Sequence, residues 1–102
     1  MAEYPITVEE FRAWLTSKRS NKHVGRRNMG GYCPLANALR ERIGGHVCVD
    51  MLETVTGDLD EPSYLGPTAR WAQMFIEEID DGPEGEGVRA SEALGILDRV
   101  AR

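Results

Sequence analysis

Four short stretches of the chain carry apolar side chains at helical spacing, and each is fenced by its own start or stop signal. Helices this short are marginal alone, so they must pack on one another or on something else. In I-T-V-E-E-F, Thr7 and Glu10 stand at capping-box spacing with Ile6 and Phe11 at the staple positions. Val8, Phe11, Trp14 and Leu15 then fall on one stripe, which predicts a helix over about 8–18. Pro34 suits a first helical position, Leu35, Leu39 and Ile43 form a stripe, and Gly44–Gly45 supply a stop, predicting a helix over 34–43. Pro67 opens a third stripe through Trp71, Met74, Phe75, Glu78 and Ile79, widened by Ala72 and Ile76, over about 67–80. Ser91 caps a last helix bearing Leu94, Leu97 and Val100 with Ala93, Ile96 and Ala101. Trp14 and Trp71 lie on apolar faces and read as core.

Residues 46–56 are two-sided. Val47, Val49 and Met51 alternate as in a strand, whereas Val47, Met51 and Val55 with Cys48 and Leu52 draw a helical stripe. The β-branched residues Val47, Val49, Thr54, Val55 and Thr56 favour a strand. A strand needs a partner for its backbone groups. Three sources are open: the short V-R-A at Val88, a turn-back within 46–59, or a second copy of the chain. The expected fold is therefore α+β and mostly helical, with about four amphipathic helices around one to three short strands. A length of 102 residues makes one globular domain, 1–102.

Composition excludes more than it assigns. No apolar run approaches the roughly 20 residues of a membrane span. The N-terminus MAEYPITVEEF lacks a signal peptide's apolar region, and two cysteines fit a reducing cytoplasm. Charge is unevenly spread: residues 1–50 hold eight basic and five acidic side chains, net +3, and residues 51–102 hold four and twelve, net −8. Such halves attract, either within one chain or between the basic loop of one copy and the Glu77–Glu86 segment of another. That attraction and an uncovered strand edge together suit a homodimer.

The stretch K-R-S-N-K-H-V-G-R-R concentrates Lys18, Arg19, Lys22, Arg26 and Arg27 without an acid and opens a long Gly-containing loop, 19–32. Loops of this length are usually functional or disordered. The acidic, Gly-rich linker 80–88 is its counterpart, and its spacing lacks the alternating ligand order of a calcium loop. The first reading of the five cations is a surface for another protein. An alternative is a nucleic-acid-binding regulator, against which an isoelectric point near 5.0 counts. A third is a thiol or zinc site. Cys33 precedes a helix N-terminus, which lowers a thiol's pKa, and His23, Cys33, His46 and Cys48 are metal-ligating types. Their spacing, H-x9-C-x12-H-x-C, lacks the paired ligands of structural zinc sites. No catalytic residue, cofactor or metal is assigned, and the expected class is a non-enzymatic interaction or accessory protein.

The succession F-R-A-W-L, C-P-L-A-N-A-L-R-E-R-I-G-G, R-W-A-Q-M-F-I-E-E-I-D and S-E-A-L-G-I-L-D resembles small uncharacterised proteins of high-GC bacteria, actinobacteria-like, and their phages. Ten arginines against two lysines fit the same source, because arginine codons are GC-rich. The resemblance implies a bacterial or phage accessory protein and attaches no activity.

Overall fold

Thr7 Oγ1 accepts from the Glu10 amide at 3.1 Å and the Glu10 carboxylate from the Thr7 amide at 3.0 Å, closing the capping box that starts α1, Val8–Thr16. The computed structural model describes residues 4–29, 31–50, 53–58 and 61–101, with the backbone alone at 57, 58 and 61–65. The first helix stops two residues earlier than its apolar stripe suggests. Thr16 donates its hydroxyl to the Arg12 carbonyl and Ser17 donates to that of Trp14 at 2.6 Å, and such side-chain bonds loosen a last turn.

Among the described residues the chain forms four helices and five strands in two small antiparallel sheets, an α+β and mostly helical fold. After α1 come β1, His23–Arg26, and α2, Pro34–Ile43. A meander follows, β2 (Val47–Val49), β3 (Glu53–Asp58) and β4 (Glu61–Pro67), and then α3, Arg70–Ile79. The chain ends with β5, Gly87–Arg89, and α4, Ala90–Val100. No helix among the described residues is long and apolar enough to cross a membrane.

Residues 46–56 therefore contain strands, and a local turn-back supplies their partner: Val47 pairs with Thr56 and Val49 with Thr54. Asp50 makes the turn, its amide donating to the Glu53 carbonyl and its Oδ1 accepting from the Glu53 amide. Met51, part of both periodic readings, and Leu52, part of the helical one, lie outside the described residues, as does Gly30 of the basic loop. The V-R-A strand exists as well, but it pairs with β1. Pro67 closes β4 opposite Glu53 and does not open α3, which starts at Arg70. β4 lies at the sheet edge, where a residue without an N–H is tolerated.

The core gathers where these elements meet. Phe11 of α1 stands edge-on to Phe75 of α3 at 5.0 Å between ring centroids, and Leu15, Leu35, Leu39, Ile79 and Leu97 are fully buried around them. Both tryptophans pack partly buried against this core, whereas Ile43 and Met74, placed on apolar stripes by spacing, are largely exposed. A polar thread crosses the core margin: Tyr4 Oη lies 2.8 Å from Thr54 Oγ1, which lies 3.2 Å from Thr68 Oγ1, which donates to the Asp50 carbonyl. It fastens the N-terminal segment to the β2–β3–β4 sheet.

The packing of β1 on α2 depends on one missing side chain. A Cβ on Gly25 would stand 2.4 Å from the Pro34 nitrogen and 2.7 Å from the Cys33 carbonyl carbon, backbone that cannot swing aside. Gly95, exposed on α4, would meet nothing within 4 Å. The two positions should respond with opposite sign in urea unfolding. Gly25→Ala is expected to lose about 3 kcal/mol through overpacking, and Gly95→Ala to gain about 0.5–1 kcal/mol from helix propensity.

Candidate functional site

The basic segment is built into the fold by its main chain before any side chain is considered. The first amides of α4, at Ala90 and Ser91, donate to the carbonyls of Lys22 and Ser20 at 2.9 and 3.0 Å. The helix thus has Arg89 as its N-cap with no side-chain cap bond, and Ser91 lies inside it, because main-chain carbonyls already satisfy its leading donors. At the other end of the segment Asn28, in the left-handed region at φ 56°, closes α3. Its Nδ2 donates to the Asp80 and Gly82 carbonyls, and its amide donates to Asp80 Oδ1.

Arg27 lies at the centre of this closure. It is 6% exposed and donates to Glu86 Oε1 at 2.8 Å, to the Ile79 carbonyl at 2.6 Å and to the Glu92 carboxylate. Burial works against its charge, but the Glu86 and Glu92 carboxylates outweigh it, so the guanidinium pKa stands above its ordinary value. Arg27 is therefore a fold residue and is withdrawn from the contact surface that its sequence position suggests. One basic–acidic contact between residues 18–27 and Glu77–Glu86, that of Arg27 with Glu86, is made within the chain.

Of the other four cations, three face outward and Lys18 is half-buried. Arg19, Lys22 and Arg26 are exposed, and Arg26 donates to the Gly85 carbonyl at 3.2 Å. Lys18 lies over the Trp14 ring at 5.0 Å and meets Glu41 at 3.4 Å. Three of them, Lys18, Lys22 and Arg26, line a half-open groove of about 720 Å³ between the end of α1, β1 and the polar face of α2. The groove also takes in Trp14, Tyr32, Asn37, Arg40 and Glu41, none of which the distribution of charge singles out. Asn37 organises its floor: Nδ2 donates to the Val24 and Tyr32 carbonyls, while Oδ1 accepts from Arg40 at 2.6 Å. An asparagine inside a helix, three residues before an arginine on the same face, was the available signal.

The thiol and zinc candidates do not come together. Cys33 is buried as the N-cap of α2, its Sγ accepting from the Ala36 amide at 3.4 Å, whereas Cys48 on β2, His23 on β1 and His46 before β2 are exposed. Among the described residues no three His, Cys, Asp or Glu side chains gather as a metal site. Burial pushes the Cys33 thiol up to about 11 from an ordinary 9.0, outweighing the Ala36 and Leu35 amides that favour the thiolate. That is the reverse of an activated nucleophile. No family model matches the chain, and neither a curated protein nor a solved structure matches it.

Arg27→Met is expected to cost about 2–3 kcal/mol in urea unfolding, since the two carboxylates keep partial access to water but the Ile79 carbonyl loses its donor. Arg26→Met should stay within about 0.5 kcal/mol. Equal losses from the two would contradict the division between them. The thiol gives a pH signature. A neutral form favoured by folding contributes stability that is complete below the unfolded pKa, 9.0, and is lost as pH rises through the folded value near 11. Melting temperature should fall across that window, followed by a further loss as Tyr4, raised from 10.0 to about 12, ionises. Cys33→Ser should retain the cap and remove the first loss; an unchanged alkaline profile would refute this assignment.

Proposed function

We propose that this chain is a non-enzymatic interaction protein, an accessory protein of a high-GC bacterium or its phage that works in the cytoplasm and grips a protein partner through the exposed cations of residues 18–26. One observation carries the reading. Lys22 and Arg26 stand at the mouth of a groove with no carboxylate partner among the described residues, in a chain whose formal net charge is −5. Arg12, Arg27, Arg42 and Arg99, by contrast, each meet a carboxylate of their own chain. Unmatched charge of this kind sets encounter rate and partner choice more than raw affinity.

A second reading, a nucleic-acid regulator using the same cations, draws on Tyr32, 52% exposed beside them, because exposed rings are platforms for unpaired bases. A photo-crosslinking residue at position 22, introduced in the native cell, separates the two. Protein adducts that survive nuclease and vanish in Lys22→Glu/Arg26→Glu are expected. Adducts only to nucleic acid, with affinity falling steeply as salt rises, transfer the groove to the second reading. No adduct of either kind defeats both.

A further inference from the structure

The groove holds one carboxylate, Glu41, and it is already occupied: it accepts from Trp14 Nε1 at 2.8 Å and meets Lys18 at 3.4 Å. Arg40, half-buried on the groove floor, is oriented by two neutral acceptors, Asn37 Oδ1 and the Gly31 carbonyl. Arg26 across the groove is likewise held by a neutral acceptor, the Gly85 carbonyl. Neutral acceptors fix a guanidinium's direction but leave its charge unanswered, and neither arginine has a carboxylate partner among the described residues. Two pre-oriented forks and the ammonium of Lys22 around one recess call for more than one anionic group. Beside them the Tyr32 ring, with the Arg40 guanidinium 5.7 Å from its centroid, leaves half its surface open to an apolar neighbour.

We infer that this groove receives an extended acidic segment of the partner protein, with carboxylates on Arg40, Arg26 and Lys22 and an apolar side chain against Tyr32. The inference rests on the protein-partner reading and deepens it by moving the main contact from the basic segment to Arg40 of α2. A recess of about 720 Å³ exceeds the needs of a single small anion and falls in the size range of sites that enclose a ligand. Carboxylates match the planar guanidinium fork in paired bonds. A nucleic-acid strand favours a continuous basic track, whereas this one reaches Gly87, directly after the acidic connector with Asp80, Asp81, Glu84 and Glu86.

The probe is a fluorescent dodecapeptide of alternating Asp and Glu with one central Leu, titrated by anisotropy at physiological salt beside a labelled dT12 strand. Tighter binding of the peptide than of dT12 is expected. Arg40→Gln should weaken the peptide about tenfold, Arg40→Lys should fall between, and Arg70→Gln, exposed outside the groove, should change it less than twofold. Thermal melts establish that each variant is folded; if Arg40→Gln is not, Arg40→Lys and Arg26→Gln decide, each expected to weaken the peptide. Unchanged binding in the folded Arg40 variants, or tighter binding of dT12, overturns the inference. If the peptide fails while the position-22 crosslinker still traps protein, the acidic-segment assignment falls and the interaction reading stands.

Discussion

A guanidinium removed from water demands acceptors on several sides, and Arg27 finds them on three parts of the chain: the last turn of α3 at Ile79, the connector at Glu86, and the first turn of α4 at Glu92. Each bond constrains a different element, so one side chain sets how the two C-terminal helices are joined. Its neighbours complete the arrangement. The Arg27 amide and carbonyl pair with Glu86 and Gly85, and Gly82 leaves the room its side chain needs, since a Cβ there would stand 2.9 Å from Arg27 Cδ. Glu92 also lies in the first turn of α4, where a carboxylate is favoured by the helix dipole. The connector, read from sequence as an acidic, Gly-rich linker, is held in place by Arg27 together with Asn28, Arg26 and the pairing of β5 with β1.

What was legible before folding was local. The capping box at Thr7 and Glu10, the Pro34 start and Gly44 stop of α2, and the apolar stripes of α3 and α4 depend on residues within a few positions of one another. What was hidden depends on distant ones. β1 reads as a polar loop because only Val24 faces the core, and the strand it pairs with lies beyond residue 86. β4 reads as turns because Pro62, Gly66 and Pro67 are turn formers, and the meander overrides that preference. Arg26 and Arg27 are adjacent and chemically identical, yet one is exposed on a strand and the other is interior. Nothing in their immediate neighbourhood distinguishes them. The groove was half legible for the same reason: its cations were conspicuous, while Asn37 and Arg40 joined them only when α2 packed beside β1.

Folding consumes part of the charge imbalance between the two halves and concentrates the rest. Arg27 with Glu86 and Glu92, and Arg12 with Asp98, cancel across the halves. Among the described residues, two recesses carry charge of opposite sign: the basic groove, and a second one lined by Met74, Glu77, Glu78, Asp80, Asp81 and Val100. The molecule measures 35 × 28 × 23 Å, whereas exposed charges are screened beyond about 8 Å at physiological salt. An approaching molecule therefore responds to whichever recess it nears and not to the net charge. A net-acidic protein can attract an acidic ligand on that basis.

The start of α4 carries a different consequence. Its leading amides are satisfied by the carbonyls of Ser20 and Lys22, groups that every residue type possesses. The side chains at positions 19 to 22 are left outside that arrangement, exposed and answerable to no structural duty. Here the scaffold uses the backbone and leaves the side chains to the surface, so the chemistry of this rim can change without altering how the chain folds.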